Sequence, residues 1–152
     1  MSVSDRITIE QLQSYLWNSA VFLRTSIDAG AYNQYIFPLL FFKRISDVYD
    51  EECRQILKEY DGDAEALEWE ENHRFLVPKG AHWEDVRNVS ENVGVAIVEA
   101  FRKIERANSD KLQGIFGDGT WTNKERLPDR LLKDLLEHFS TKTLSIGNCP
   151  ED

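Results

Sequence analysis

The chain has 152 residues, 41% hydrophobic and 30% charged, a balance that excludes a disordered polymer and describes one soluble domain with a buried core. Its 27 acidic and 18 basic side chains give a formal charge of −9, which excludes a surface that grips nucleic acid all over and leaves room for a local basic face. Cys53 and Cys149 lack the spacing of a disulfide framework or zinc site, and the N-terminus carries no apolar signal region, so reduced thiols and a cytoplasmic setting are expected.

In chain order, Thr8 with Gln11 fits a capping box that opens the first helix. Leu12, Leu16, Ala20, Leu23 and Ile27 then recur at helical steps, and Asp28 to Gly30 forms a stop. The second helix carries Tyr35, Leu39, Phe42, Ile45, Tyr49, Cys53, Ile56 and Tyr60 on one face. Pro38 interrupts its start, because proline lacks an amide and crowds the carbonyl four residues back. A start near Phe37, or a kink in the first turn, is expected. The charge-free run from Ala29 to Phe42 contains Asn33 and Gln34 and falls short of the roughly 20 apolar residues that span a bilayer.

Residues Asp61 to Asn72 turn acidic and read as a short solvated helix or a loop. A minor short strand near Phe75–Val77 and a turn at Val77-Pro78-Lys79-Gly80 follow, with Phe75 and Trp83 anchored in the core. A helix from Ser90 to Ala107 turns Val93, Ile97, Ala100, Phe101 and Ile104 inward, and Gly114 to Trp121 form a loop. Pro128 opens a last amphipathic helix carrying Leu131, Leu132, Leu135, Leu136 and Phe139. The fold class is all-α: a compact bundle of about five helices with long connecting loops, spanning residues 1–152 as a single helical domain.

No catalytic constellation stands out. His73, His82 and His138 lack metal-ligand spacing, and the glycines of "GIFGDG" have the wrong order and context for a phosphate cradle. The acid pairs Glu51-Glu52 and Glu70-Glu71 lie in polar runs and read as solvated faces. Catalytic, cofactor and metal sites are therefore expected to be absent from this chain. Three basic groups are candidates for DNA proximity: Lys43-Arg44; Arg102, Lys103 and Arg106 with Lys111 beyond; and Lys124, Arg126, Arg130 and Lys133. The last two are interleaved with Glu105, Asp110, Glu125 and Asp129, as an ordinary solvated face would be. In the run "IFPLLFF", Ile36, Phe37, Leu40 and Phe41 cannot all share the inward face of Leu39 and Phe42, so they are the candidates for meeting a second helix or a partner subunit.

The blocks "LWNSAVFLRTSIDAGAYNQYIFPLLFFKRISDVYDEE" (Leu16 to Glu52), "FLVPKGAHWEDV", "IFGDGTWTNKERLPDRLLKDLLEHFS" and the closing "TLS" carry a family resemblance in order along nearly the whole chain. The chain resembles the N-terminal helical domain of the DNA methyltransferase (modification) subunit of type I restriction–modification systems. Pro38 departs from the family pattern, where a small residue such as glycine is expected.

The resemblance implies a parent enzyme that transfers a methyl group from S-adenosylmethionine to the exocyclic amine of adenine in DNA. Its implied partners are a specificity subunit, a second modification subunit and a restriction subunit. The catalytic Rossmann-like domain, with its cofactor loop and Asn-Pro-Pro-Tyr/Phe motif, is expected downstream. Neither motif occurs here, since the only prolines are Pro38, Pro78, Pro128 and Pro150. The implied role is to assemble the complex and close over DNA. The alternative is a free-standing helical adaptor or regulator that binds protein only, and the encoded sequence beyond Asp152 discriminates the two.

Overall fold

A computed structural model describes residues 8–24, 32–59, 73, 75–112, 114–117, 121–125, 127–142 and 144. Among them are six α-helices and no strand: α1 (Ile9–Val21), α2 (Asn33–Glu59), α3 (Trp83–Arg87), α4 (Val93–Ala107), α5 (Ser109–Leu112) and α6 (Asp129–Phe139). The acidic Asp61–Asn72 stretch and the Asp28–Gly30 stop lie outside the described residues.

The capping box forms as the sequence indicates, with Gln11 N–H donating to Thr8 Oγ1 and Thr8 N–H to Gln11 Oε1. The α-helix ends at Val21, and Ile27 lies outside the described residues. Phe22, Leu23 and Arg24 donate to carbonyls three residues back, the tightened turn that commonly closes a helix, and Leu23 still reaches the core. Tyr15 and Ser19 are the buried residues of α1, and the Tyr15 hydroxyl donates to the Phe139 carbonyl at 2.6 Å, fixing α1 across the end of α6.

α2 does not wait for Phe37. The Tyr32 carbonyl accepts from the Tyr35 and Ile36 amides at 3.0 and 2.9 Å, the helix starts at Asn33, and Pro38 lies in its second turn. The missing proline amide leaves the Gln34 carbonyl without its helical donor. Gln34 is exposed, so water can serve that carbonyl, while the Pro38 ring is buried.

The strand at Phe75–Val77 does not form. A single carboxamide does what a neighbouring strand would do: Asn108 Oδ1 accepts from Leu76 N–H at 2.7 Å and Asn108 Nδ2 donates to the Leu76 carbonyl at 2.8 Å. The same Nδ2 donates to the Ile104 carbonyl at the end of α4. α3 and α5 are one-turn helices that periodicity cannot register, since one turn contains no repeat.

α4 begins at Val93, three residues later than the Ser90 start, because Asn92 takes a left-handed φ of 55° that breaks the helical path. Asp129 supplies the cap from across the fold, accepting from Val93 N–H at 3.0 Å and Asn92 N–H at 2.9 Å. Pro128 stands just outside α6 as its N-cap, with Leu132, Leu135, Leu136 and Phe139 buried and Leu131 half-buried.

The elements pack around one core. α4 lies on α6, α3 on both, and α2 runs against α1, α3 and α6. Aromatic rings join them: Phe42 of α2 meets Trp83 at 5.0 Å and Phe101 at 5.7 Å, and Phe101 stacks on Phe116 at 4.2 Å. Gly94 is required where α4 crosses the 121–125 segment, because a Cβ there would stand 2.0 Å from the Trp121 carbonyl oxygen.

Candidate functional surfaces

The basic pair of α2 points inward. Lys43 is 4% exposed and pairs with Asp47 one turn on. Asp47 Oδ2 also accepts the Leu144 amide at 2.7 Å, and Arg44 donates to the Leu144 carbonyl at 2.8 Å. Lys43, Arg44 and Asp47 thus form a clasp that holds both backbone groups of Leu144, whose side chain is in the core. The spacing follows from the helix: positions i, i+1 and i+4 place the Arg44 guanidinium and the Asp47 carboxylate on the side where Leu144 passes. The Lys43 ammonium also stands 5.8 Å over the Trp83 ring. This geometry takes Lys43 out of any direct phosphate contact. The sequence signal for the clasp is a Lys-x-x-x-Asp pair among apolar residues, but its target, Leu144, is a hundred residues away.

The basic residues of α4 are placed differently. Glu105 stands among them in sequence, yet its side chain is only 11% exposed. Its two oxygens receive Arg102 Nη1 at 2.6 Å and the Phe116 amide at 3.4 Å, so it turns down onto the 114–117 turn. Arg102 is half-buried and also donates to the Gly117 carbonyl at 3.0 Å. Lys103 is half-buried, its ammonium beside the Gly80 turn, and Arg106 is exposed. On α4, then, Arg102 is tied to Glu105 and the Gly117 carbonyl, exposed Glu99 lies one turn before Lys103, and Arg106 is the exposed cation of the three.

The third basic group is mostly occupied within the fold. Lys133 donates to the Arg87 and Val89 carbonyls, capping the C-terminal end of α3, and Lys124 lies 3.8 Å from Asp129. Arg130 is exposed, and Arg126 lies outside the described residues. Arg87 joins α3 to α6 by two parallel bonds to Glu137, at 2.9 and 2.8 Å.

The four apolar candidates of α2 separate. Ile36 is buried and Leu40 half-buried against the core, whereas Phe37 and Phe41 are 42% and 38% exposed. Their rings stack at 6.4 Å beside a groove of about 340 Å³ that Asn33, Gln34, Pro38 and Ile115 to Gly117 complete.

A cluster of titratable groups occupies the middle of α2. Tyr49 stacks on buried His73 at 4.3 Å, and His73 Nδ1 lies 3.1 Å from Glu52 Oε1. Burial pushes the Tyr49 hydroxyl up to about 12 and also raises the Cys53 thiol, with Tyr49 and Asp50 as lesser influences on it. An activated nucleophile needs the opposite direction, a lowered pKa. Among the described residues, no group of three or more His, Cys, Asp or Glu side chains is arranged to hold a metal ion. No helix among them is long and apolar enough to cross a membrane.

Fold and surfaces together define an all-α domain with a closed core, an exposed cation at Arg106 and an exposed pair of aromatic rings at Phe37 and Phe41. The model of the HsdM N-terminal domain matches residues 12–139, and the chain belongs to that family, the N-terminal domain of type I restriction–modification modification subunits. No curated protein matches the chain.

Proposed function

We propose that this chain is the assembly and DNA-clamping domain of an adenine-specific type I DNA methyltransferase subunit. The family match over residues 12–139 carries the reading, and the outward cations of α4 supply a surface suited to it. In this reading Arg106, with Arg102 and Lys103 beside it, lies along the phosphate backbone. Such contacts position a protein on DNA without reading its sequence, which suits a subunit whose target choice belongs to a separate specificity subunit. Phe37 and Phe41 face a partner subunit of the complex, where paired aromatic rings beside a groove make good anchors. The methyl transfer, with its S-adenosylmethionine and Asn-Pro-Pro-Tyr/Phe motif, belongs to a downstream domain of the parent, and the chain itself binds no cofactor.

The test is to assemble the modification complex with the parent subunit carrying Arg102→Glu and Arg106→Glu. Complex formation should persist by sedimentation. DNA affinity should fall, and the slope of log affinity against log salt should become shallower by about one per lost phosphate contact. Unchanged affinity and slope would overturn the DNA assignment. Calorimetric titration of the chain with S-adenosylmethionine should show no stoichiometric heat, and a micromolar site would contradict the division of labour.

A further inference from the structure

The clasp on Leu144 has a use beyond holding the fold together. Past the end of α6, the Ser140 and Thr141 amides donate to the Leu136 and His138 carbonyls and close the helix. Leu144 is the next fixed point. Its side chain is 2% exposed, its amide donates to Asp47 Oδ2 at 2.7 Å, and its carbonyl accepts from Arg44 at 2.8 Å. Burial of the leucine side chain alone would retain the residue yet let its peptide groups turn. Holding N–H and C=O together, as a neighbouring strand does, fixes the direction of the backbone as well as its place.

The make-up of the clasp favours direction over stability. Lys43 is 4% exposed and the side chain of Asp47 12%, so a charged pair has been taken largely out of water. Such a pair often adds no more stability than packed apolar residues would, because desolvation of both charges offsets their attraction. What it supplies is a carboxylate aimed at one amide, with Arg44 beside it aimed at the carbonyl of the same residue. The clasp also shares a helix face with the exposed rings. Phe37, Phe41 and Arg44 follow at steps of four and three along one stripe of α2, which runs on unbroken through Asp47. From Phe41 to Asp47 is roughly 9 Å along the helix axis.

We propose that Arg44 and Asp47 are positioning residues for methyl transfer. They fix the direction in which the polypeptide runs on from Leu144 toward the catalytic domain, relative to the stripe of α2 that faces a partner subunit. The inference rests on the proposed function, in which the transfer takes place in a downstream domain. Neither residue is assigned a contact with DNA, cofactor or the reacting atoms. Both act through the backbone of Leu144, and a small misplacement far from the chemistry is enough to lower a rate.

Hydrogen exchange on the chain itself should show a protected Leu144 amide. Arg44→Met should speed its exchange at least about tenfold while the Ile104 and Leu135 amides of the core stay protected, which shows that the variant folds. In the assembled modification complex, Arg44→Met in the parent subunit should lower kcat for methyl transfer at least about tenfold, counted per cofactor-binding site. KM for DNA and for S-adenosylmethionine should hold, as should the salt dependence of DNA binding. Arg44→Lys keeps the charge and a donor, and should restore most of the rate. An unprotected Leu144 amide in the unsubstituted chain would overturn the proposal, as would a raised KM with unchanged kcat. An unsubstituted complex that transfers no methyl group would overturn the proposed function and this inference with it. An active complex indifferent to Arg44→Met would overturn this inference alone.

Discussion

Two pairs of cations sit on the two longest helices and meet opposite fates. Lys43 and Arg44 of α2 turn toward Asp47 and Leu144, where they fasten a distant backbone segment. Arg102 and Arg106 of α4 belong to a face whose intervening acid, Glu105, has been drawn under a turn. Side-chain type and helical context are nearly the same in both. What differs is whether the chain itself provides the counter-charge in a buried place. A basic residue with an internal partner is structural, as Lys43, Arg44 and Arg102 are, whereas Arg106 stands exposed at the surface.

Substitutions can break this contrast, and the largest effects should come from the inward side. Asp47→Ala leaves the buried Lys43 ammonium uncompensated and the Leu144 amide without its acceptor, and should lower unfolding stability by about 3–5 kcal/mol in a urea titration. Phe42→Ala, which empties the contact among α2, Trp83 and Phe101, should cost a similar about 3–5 kcal/mol. Its neighbour Phe41→Ala, on the exposed ridge, should stay within about 0.5 kcal/mol, and equal losses at the two positions would contradict the assigned burial. Gly94→Ala drives a methyl into the Trp121 carbonyl and should cost about 1–3 kcal/mol.

Smaller and pH-dependent effects come from the carboxylates that serve as caps and ties. Backbone N–H donation from Val93 and Asn92 holds Asp129 below its ordinary 3.8, and the Arg87 guanidinium holds Glu137 below 4.5. Both folded-state values are depressed. Their contributions are therefore complete above those ordinary values and are lost as pH falls through them toward the folded ones. Asp129→Asn should reduce the slope of stability against pH in that acid range and leave the dependence near neutrality unchanged. An unaltered acid limb would refute the capping role.

Much of the fold is legible in the sequence because long amphipathic helices repeat their signal. The inward faces of α4 and α6 follow directly from spacing, as does the Thr8–Gln11 cap; in α2 the expected Tyr35, Leu39, Phe42, Ile45 and Ile56 are buried, but so are Lys43, Ser46 and Val48 beside them. What escapes is non-local or too short to repeat. Asn108 replaces a strand partner for Leu76, Asp129 caps α4 from another element, and α3 and α5 have one turn each. At the start of α2 the sequence leaves two alternatives, a start near Phe37 or an earlier start around Pro38, and the earlier one holds because Gln34 is exposed and its undonated carbonyl is tolerated. The candidate basic residues are all visible in sequence, but their orientations are not. Lys43 and Arg106 look alike until Asp47 and Glu105 are located.

The central claim is that α4, and not the Lys43-Arg44 pair, meets the DNA backbone. Its most direct test compares two single variants of the assembled modification complex, Arg106→Glu and Lys43→Met, by the salt dependence of DNA binding. Arg106→Glu should weaken binding and make the log–log salt slope shallower by about one, while Lys43→Met leaves the slope as it is. A slope changed by Lys43→Met and indifferent to Arg106→Glu would contradict the account.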